Sequence, residues 1–189
     1  MTAAAEKSVQ AGNVVVQVAM SLDGFIAGPE HSMDWVFEFT TPEDVPDLIQ
    51  ATGAMLSGRN TYDVGERDAG KPSGEAYGGA WNGPVYVLTH RPPDNPRPGV
   101  TFLSGDVAGA VATAKHAAGD KDLIVLGADV ASQCLERGLV DEVQLMMLPV
   151  LLGDGVRLYG SDRAPRVNLE SAGSKQSGDV TFLRYRVTK

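Results

Sequence analysis

Three segments of this 189-residue chain put glycine, cations and hydroxyls where an apolar strand gives way to a turn. The first is LIVLGADVASQCLERGLVDE, Leu123 to Glu142, in which a buried strand turns through Gly127 into a helix. Free N–H groups and the helix dipole at such a turn form an anion site, and glycine lets a phosphate approach the backbone. Gly127 can also serve only as the turn, with Asp129 capping the helix. The second is Ser57-Gly58-Arg59-Asn60-Thr61-Tyr62, another strand end followed by glycine and a helix start. Arg59 can pair bidentately with a phosphate and Thr61 can donate to a further oxygen, or Arg59 is an exposed cation on an ordinary junction. The third, Thr89-His90-Arg91-Pro92, follows the strand VYVL and adds two potential cations. Three strand ends with anion donors point together to a dinucleotide lying across the carboxyl ends of a sheet.

Other chemistry-bearing residues are fewer. Asp34, Trp35, Phe37 and Phe39 follow the loop SLDGFIAG, where aromatics either seal a core edge or wall a flat heterocycle. Cys134 sits mid-helix among apolar residues and reads as packing, while His31 and His116 have no recognisable partner. No catalytic triad spacing, nucleophile elbow or metal motif is present, so no metal is expected.

Composition narrows the class. A single cysteine excludes an internal disulfide and zinc sites built on cysteine pairs, which fits a reducing, cytoplasmic setting. Lys plus Arg is 16 against Asp plus Glu at 24, a formal charge of -8, so nucleic acid is not an expected partner. No apolar run reaches the ~18 residues of a bilayer span, so no membrane partner is expected either.

The elements that must position these residues follow from periodicity and breakers. Residues 1–12 read as a disordered tail and 13–189 as one domain. Val14 to Met20 is a buried strand. Thr41-Pro42-Glu43-Asp44 starts a helix that runs to about Thr52, with Gly53 past its end. Residues 54–57 form a strand, and the glycine-rich stretch 65–84 reads as a long loop of the kind usually kept for function. Val85–Leu88 and Val100–Leu103 are strands, and Asp106 caps a helix that ends at Gly119. Leu123–Leu126 is a strand, about 130–137 a helix, and 142–150 a strand. Segments 166–174 and 179–187 pair antiparallel. The pattern is α/β: a mixed sheet with helices on its faces and a C-terminal hairpin.

The segments VVVQVAMSLDGFIAG, SGRNTYD, VYVLTHRP and LIVLGADVASQCLERGLVDEVQLMMLPVLLGDGVRLY together resemble the dihydrofolate-reductase-like superfamily. They are most similar to its RibD C-terminal branch, the reductase half of the riboflavin-biosynthesis deaminase-reductase, over about residues 13 to 187. The resemblance implies a three-layer fold around a mostly parallel mixed sheet, NADPH as hydride donor, and a homodimer. It places Ala19, Ile26 and Ala27 near the nicotinamide, and Gly58, Arg59, Asn60 and Thr61 on the pyrophosphate and adenosine side. It places Thr89, His90 and Arg91 at the 2′-phosphate, and Gly127, Ala128, Asp129, Val130 and Ala131 around the pyrophosphate. Dihydrofolate reductases have a cis Gly-Gly bond at that last turn; Gly127-Ala128 leaves a cis bond open here.

Two departures bear on the substrate. A substrate-binding glutamate of the riboflavin-pathway reductases becomes Val125, and the pteridine-binding carboxylate of dihydrofolate reductases falls on Thr40, with Glu38, Glu43 and Asp44 reachable only by a register shift. The upstream zinc deaminase is absent. The expectation is a stand-alone NADPH-dependent reductase of a small heterocycle, related to 5-amino-6-(5-phosphoribosylamino)uracil reductase. Asp34, Trp35 and Glu38 are its substrate contacts, and Asp34 or water its proton source. The alternatives are a non-catalytic nucleotide-binding protein of the same fold and dihydrofolate reductase proper.

Overall fold

The β-branched run at Val14 to Val16 forms the centre of the molecule because a strand flanked by parallel neighbours is buried on both faces. In the computed structural model, which describes residues 12–41, 43, 45–160 and 164–188, it opens β1 (Val14–Ser21). The expected tail up to residue 11, and Pro42 and Asp44 of the expected helix start, lie outside the described residues.

The order along the chain is β1, β2 (Phe25–Ala27), α1 (Pro46–Ala51), β3 (Thr52–Gly58), α2 (Arg59–Arg67), β4 (Val85–Leu88), β5 (Val100–Leu103) and α3 (Val107–Ala118). It continues with β6 (Asp122–Val125), α4 (Ala128–Glu136), β7 (Glu142–Leu148), β8 (Val156–Arg157), β9 (Asn168–Ser177) and β10 (Val180–Thr188). Eight strands make one sheet in the order β5-β4-β3-β6-β1-β7-β10-β9, and β2 pairs with β8 in a separate ribbon. Strands β5 to β7 are parallel, while β10 runs antiparallel to both β7 and β9.

Alternation on the strands sorts the core into two layers. Val14, Val16, Leu56, Leu123 and Val125 face α3 and α4, which bring Val107, Ala110, Ala114, Val130, Ala131 and Cys134 to the same cluster. Val15, Met55 and Ile124 face the other way and are covered by Ala76, Tyr77 and Trp81. Beside them Trp35, Val36, Leu148 and Val180 form a further cluster. Leu56, Leu123 and Ile124 are fully buried, each stabilising the fold by about 1.5–3 kcal/mol relative to exposure.

Several boundaries differ from the sequence expectation for identifiable reasons. The first helix starts at Pro46 and not at residue 41. A start at 41 would carry Pro46 into the helix interior, at a cost of about 3 kcal/mol, whereas at the first turn its missing N–H is harmless. Gly53 lies inside β3 rather than beyond a helix end. The stretch 65–84 is not all loop, because α2 continues to Arg67 and two 3-10 turns, Pro72–Gly74 and Ala76–Gly79, follow. Helix α4 begins at Ala128, two residues early. Strand β7 stops at Leu148 because Pro149 has no N–H to give the ladder. The expected Asp106 cap is present, with its carboxylate accepting from the Gly109 N–H.

Candidate active site

The carboxyl ends of β1, β3, β4 and β6 open into a cleft of about 1280 Å³. That exceeds the roughly 300–1,000 Å³ of an ordinary small-molecule site, so there is room for a dinucleotide and a second ligand.

Two helix starts meet in it. Strand β3 ends at Gly58, from which α2 begins, and Gly127 leads into α4; neither helix has a side-chain cap. Asp129 does not cap α4, because its carboxylate accepts from Gln133 Nε2 at 3.1 Å. The first-turn N–H groups of both helices are therefore left to a ligand or solvent, and their dipoles add in favour of an anion. Gly127 has φ +81° and ψ 149°, a conformation essentially reserved to glycine. A Cβ at this residue would lie 2.5 Å from Thr61 Oγ1, so the α2 hydroxyl sits directly against the α4 turn. The result is a cradle that any side chain at residue 127 would fill. All peptide bonds among the described residues are trans, Gly127-Ala128 included.

The cations surround this cradle unevenly. Arg59 Nε donates to Asp63 Oδ1 at 2.7 Å, and its Nη1 donates to the carbonyl of Arg91, which ties α2 to the segment after β4. Thr89 and His90 line the cleft beside Gly58, Asn60 and Thr61, and so do Ala128, Asp129 and Val130. Arg91 and Ala131 are not in the lining. Arg91 contributes its carbonyl rather than its guanidinium, and Ala131 is fully buried behind the first turn of α4.

Ala19, Ile26 and Ala27, expected near a nicotinamide, line the same cleft. Ile26 and Ala27 are held by the β2–β8 ribbon, where the Arg157 guanidinium lies 4.5 Å above the Phe25 ring. Asp23 anchors this corner by accepting from Ser21 Oγ at 2.6 Å, Leu152 N at 3.1 Å and Gly153 N at 2.7 Å. The Ser21 hydroxyl, and then the two backbone donors, hold its carboxyl down at about 2.

Where substrate contacts were expected, the residues brought to the cleft are not those singled out from sequence. Asp34, Trp35 and Glu38 are absent from the lining, and Met33, Val36 and Phe37 take their place. Residues 34–38 form a 3-10 turn that turns Trp35 toward Leu148 and Val180, with its Nε1 donating to the Ser32 carbonyl at 3.2 Å. Val125 is fully buried against α3 and α4, and Thr40 is also buried, so neither position carries a carboxylate into the site.

Sequence reasoning missed Gln17, Met55, Tyr77 and Trp81, all of which line the cleft. The one signal was Gln17, the lone polar residue in VVVQVAM. Tyr77 Oη donates to Gln17 Oε1 at 2.6 Å and lies 2.8 Å from Thr52 Oγ1; burial pushes its phenol above the ordinary value. Gln17 Nε2 donates to Gln144 Oε1, and Gln144 Nε2 to Glu142 Oε1. Burial opposes ionisation of Glu142, but the bonds from Arg184 and Gln144 leave its carboxyl below the ordinary value. An ionised carboxylate only accepts, so Glu142 sets the direction of the whole chain and obliges Tyr77 to donate to Gln17. No cluster of three or more metal-ligating side chains occurs among the described residues.

Comparison with known proteins identifies the family and the fold. Residues 13–183 match the family model described as the RibD C-terminal domain. The uncharacterized protein YwjB of Bacillus subtilis (strain 168) is 29% identical over 174 residues, covering 90% of this chain and 95% of the relative. The crystal structure of a putative riboflavin biosynthesis protein from Shewanella sp. PV-4 superposes with a TM-score of 0.75 at 25% identity, over 94% of this chain and 99% of that one. A dihydrofolate reductase from Enterococcus faecalis, complexed with NADP(H) and RAB-propyl, superposes with a TM-score of 0.65 at 16% identity, over 95% of this chain and 99% of that one. That likeness shows a dihydrofolate-reductase-like fold.

Proposed function

The chain belongs to the RibD C-terminal domain family, and on that premise we propose that it is a stand-alone NADPH-dependent reductase that passes hydride to a small heterocyclic substrate. The observation that carries this reading is the pair of uncapped helix starts facing each other across Gly58, Thr61 and Gly127. Backbone N–H groups of Arg59 to Thr61 and of Ala128 to Val130 would take the pyrophosphate oxygens. Arg59, Thr89 and His90 would take the ribose phosphate, and Ala19, Ile26 and Ala27 would wall the nicotinamide. When bound, NADPH supplies the hydride. The chain's own part is to align the two reactants and exclude bulk water between Ala19 and Phe37, which by itself can lower a barrier by several kcal/mol, up to about 7–11. With Asp34 outside the lining, water entering the cleft is the proposed proton source.

Titrating NADPH fluorescence tests the reading: saturable binding is expected, and none at millimolar cofactor would sink it. Arg59→Ala should weaken NADPH about tenfold and NADH little, since a charge-assisted bond to phosphate contributes about 1.5–3 kcal/mol. Arg91→Ala should do less, because only its carbonyl is engaged.

A second reading, a non-catalytic nucleotide-binding protein, draws on the buried Val125 and Thr40 standing where the riboflavin-pathway reductases and the dihydrofolate reductases, respectively, are expected to carry a carboxylate. NADPH oxidation driven by any pterin, pyrimidine or quinone would eliminate it. A cytoplasmic homodimer also belongs to the proposal. Leu22 and Leu151, 67% and 69% exposed, stand on segments joined by the bond from Leu22 N to the Val150 carbonyl, and they are the exposed apolar side chains offered for it. Sedimentation at the 19.9 kDa of one chain would contradict the dimer.

A further inference from the structure

A row of polar side chains crosses the middle of the sheet. Gln17 on β1, Gln144 on β7 and Arg184 on β10 are direct cross-strand partners, so all three project from one face. On β1 the same face carries apolar Val15 before Gln17 and Ala19 after it. Gln144 Oε1 accepts from Gln17 Nε2 at 2.9 Å, and Glu142 Oε1 accepts from Gln144 Nε2 at 2.6 Å. Arg184 donates to both oxygens of Glu142, at 3.0 and 2.9 Å. Well-packed apolar residues often stabilise a fold as much as a buried polar network does, so stability alone is a weak reason to keep this one. Its inner end lies in the cleft, where Gln17 is half-buried and part of the lining.

The network fixes which way round the Gln17 amide stands. Ionised Glu142 only accepts, so Gln144 turns its NH2 to Glu142 and its oxygen to Gln17. Gln17 must then turn its NH2 to Gln144 and its oxygen to Tyr77. Tyr77 Oη donates to that oxygen at 2.6 Å from a backbone with φ 48°, a conformation that a bulky residue avoids, and Thr52 Oγ1 holds the phenol 2.8 Å away on its other side. A primary amide has two N–H groups and two oxygen lone pairs, and these contacts use one of each. No described residue takes the second N–H or the second lone pair. They lie on adjacent atoms of one planar group. Nearby in the lining, Ala19 and Phe37 belong to one apolar cluster with Val36.

We infer that Gln17 is a specificity-determining residue of the proposed reductase, presenting one amide N–H and one carbonyl lone pair to a heterocycle that carries an N–H beside a C=O. Glu142 is the positioning residue that orients this amide through Gln144. The inference rests on the reductase reading and deepens it by naming the edge of the substrate that is read. Such an edge pairs with the amide twice, donor to acceptor and acceptor to donor. A ring without it leaves both polar atoms of Gln17 unpaired beside apolar surface, which is how a polar site discriminates most strongly. Tyr77 supports Gln17 and does not itself meet the ligand.

The test uses the full chain saturated with NADP+ and two fluorescent pteridines, lumazine and 1,3-dimethyllumazine, which share a ring system but differ in that methyl groups replace both N–H hydrogens of the second. Lumazine should bind saturably, and about tenfold or more tighter than the dimethyl compound. Gln17→Leu should cut that preference about fivefold or more. Glu142→Gln should cut it about threefold or more although residue 142 is outside the cleft lining, because glutamine donates as well as accepts and no longer dictates a direction. A role confined to folding would weaken both probes alike and leave their ratio unchanged. In the parent protein, with glutamine side-chain nitrogens labelled for NMR, the Gln17 amide resonance should move on adding lumazine and hardly move on adding the dimethyl compound, a readout that needs no variant. Equal affinity of the parent for the two probes, no lumazine binding to a protein that binds NADP+, an unmoved Gln17 resonance, or a full preference retained by either folded variant would overturn the assignment. Failure of the parent to bind the cofactor overturns the reductase reading on which the assignment rests, and the initial NADPH titration registers that separately.

Discussion

Gly127 carries the account at the scale of single residues. Its backbone conformation and the 2.5 Å separation between a built Cβ and Thr61 Oγ1 make it irreplaceable on two independent grounds. Gly127→Ala should lower stability by about 1–3 kcal/mol and weaken NADPH by at least tenfold, since the strain falls on the turn that offers the N–H groups. Thermal melts and NADPH titration of the variant check both halves, and an unchanged cofactor affinity would separate Gly127 from the ligand. The two helix starts of the proposed cofactor side were legible in the sequence because each is local: strand, glycine and helix start lie within ten residues. The opposite wall of the cleft was not, because it depends on pairs far apart in the chain. Tyr77 meets Gln17, Trp81 meets Thr52, and no spacing rule announces either. Trp35, conspicuous as an aromatic, went instead to the core through the 3-10 turn that holds it.

Among the elements, the β2–β8 ribbon sets how the loop SLDGFIAG lies at the proposed nicotinamide end of the cleft, and Asp23 fastens it. Its carboxyl titrates at about 2 in the folded protein against 3.8 for the ordinary group. A depressed folded value means that the ionised form stabilises the fold above the unfolded value, and that this contribution is lost as pH falls through the window from about 4 to 2. Urea melts of the parent and Asp23→Asn at a series of pH values should show a constant stability gap above pH 4 that narrows toward pH 2; a gap indifferent to pH would show that the charge is not what fastens the loop. Strands β2 and β8, of three and two residues, are too short for any periodicity to reveal. By contrast β4 and β5 fall where the sequence put them, since each is an apolar run bounded by turn residues, and α3 does too, with Asp106 before it and Gly119 after it. The helix at Pro46 shows how such signals compete, for two proline-bearing starts lie close together and the cost of Pro46 in a helix interior selects the later one.

For the molecule as a whole, the order of the central strands explains how an acidic chain of net charge -8 could still offer the anion site proposed for it. The parallel strands aim the N-termini of α2 and α4 at one cleft, so local dipoles and Arg59 act over short distances that net charge does not govern. The alternating α/β pattern made this architecture legible; the place of β1 between β6 and β7 is a property of the assembled sheet. Cys134 reports on the integrity of that assembly, because burial pushes its thiol up to about 12 and it is sealed between α4 and the sheet. A disulfide reagent at neutral pH should leave the folded protein unmodified and label one thiol only on unfolding; rapid labelling of the native state would mean that the α4 layer opens.

The central claim is that a dinucleotide lies across the two facing helix starts, and amide chemical-shift mapping during an NADPH titration tests it most directly. The account predicts saturable shifts that are largest at Gly58 to Thr61, Thr89 to His90 and Gly127 to Val130. Shifts that leave these amides unmoved and gather elsewhere, such as on the β9–β10 hairpin, would contradict it.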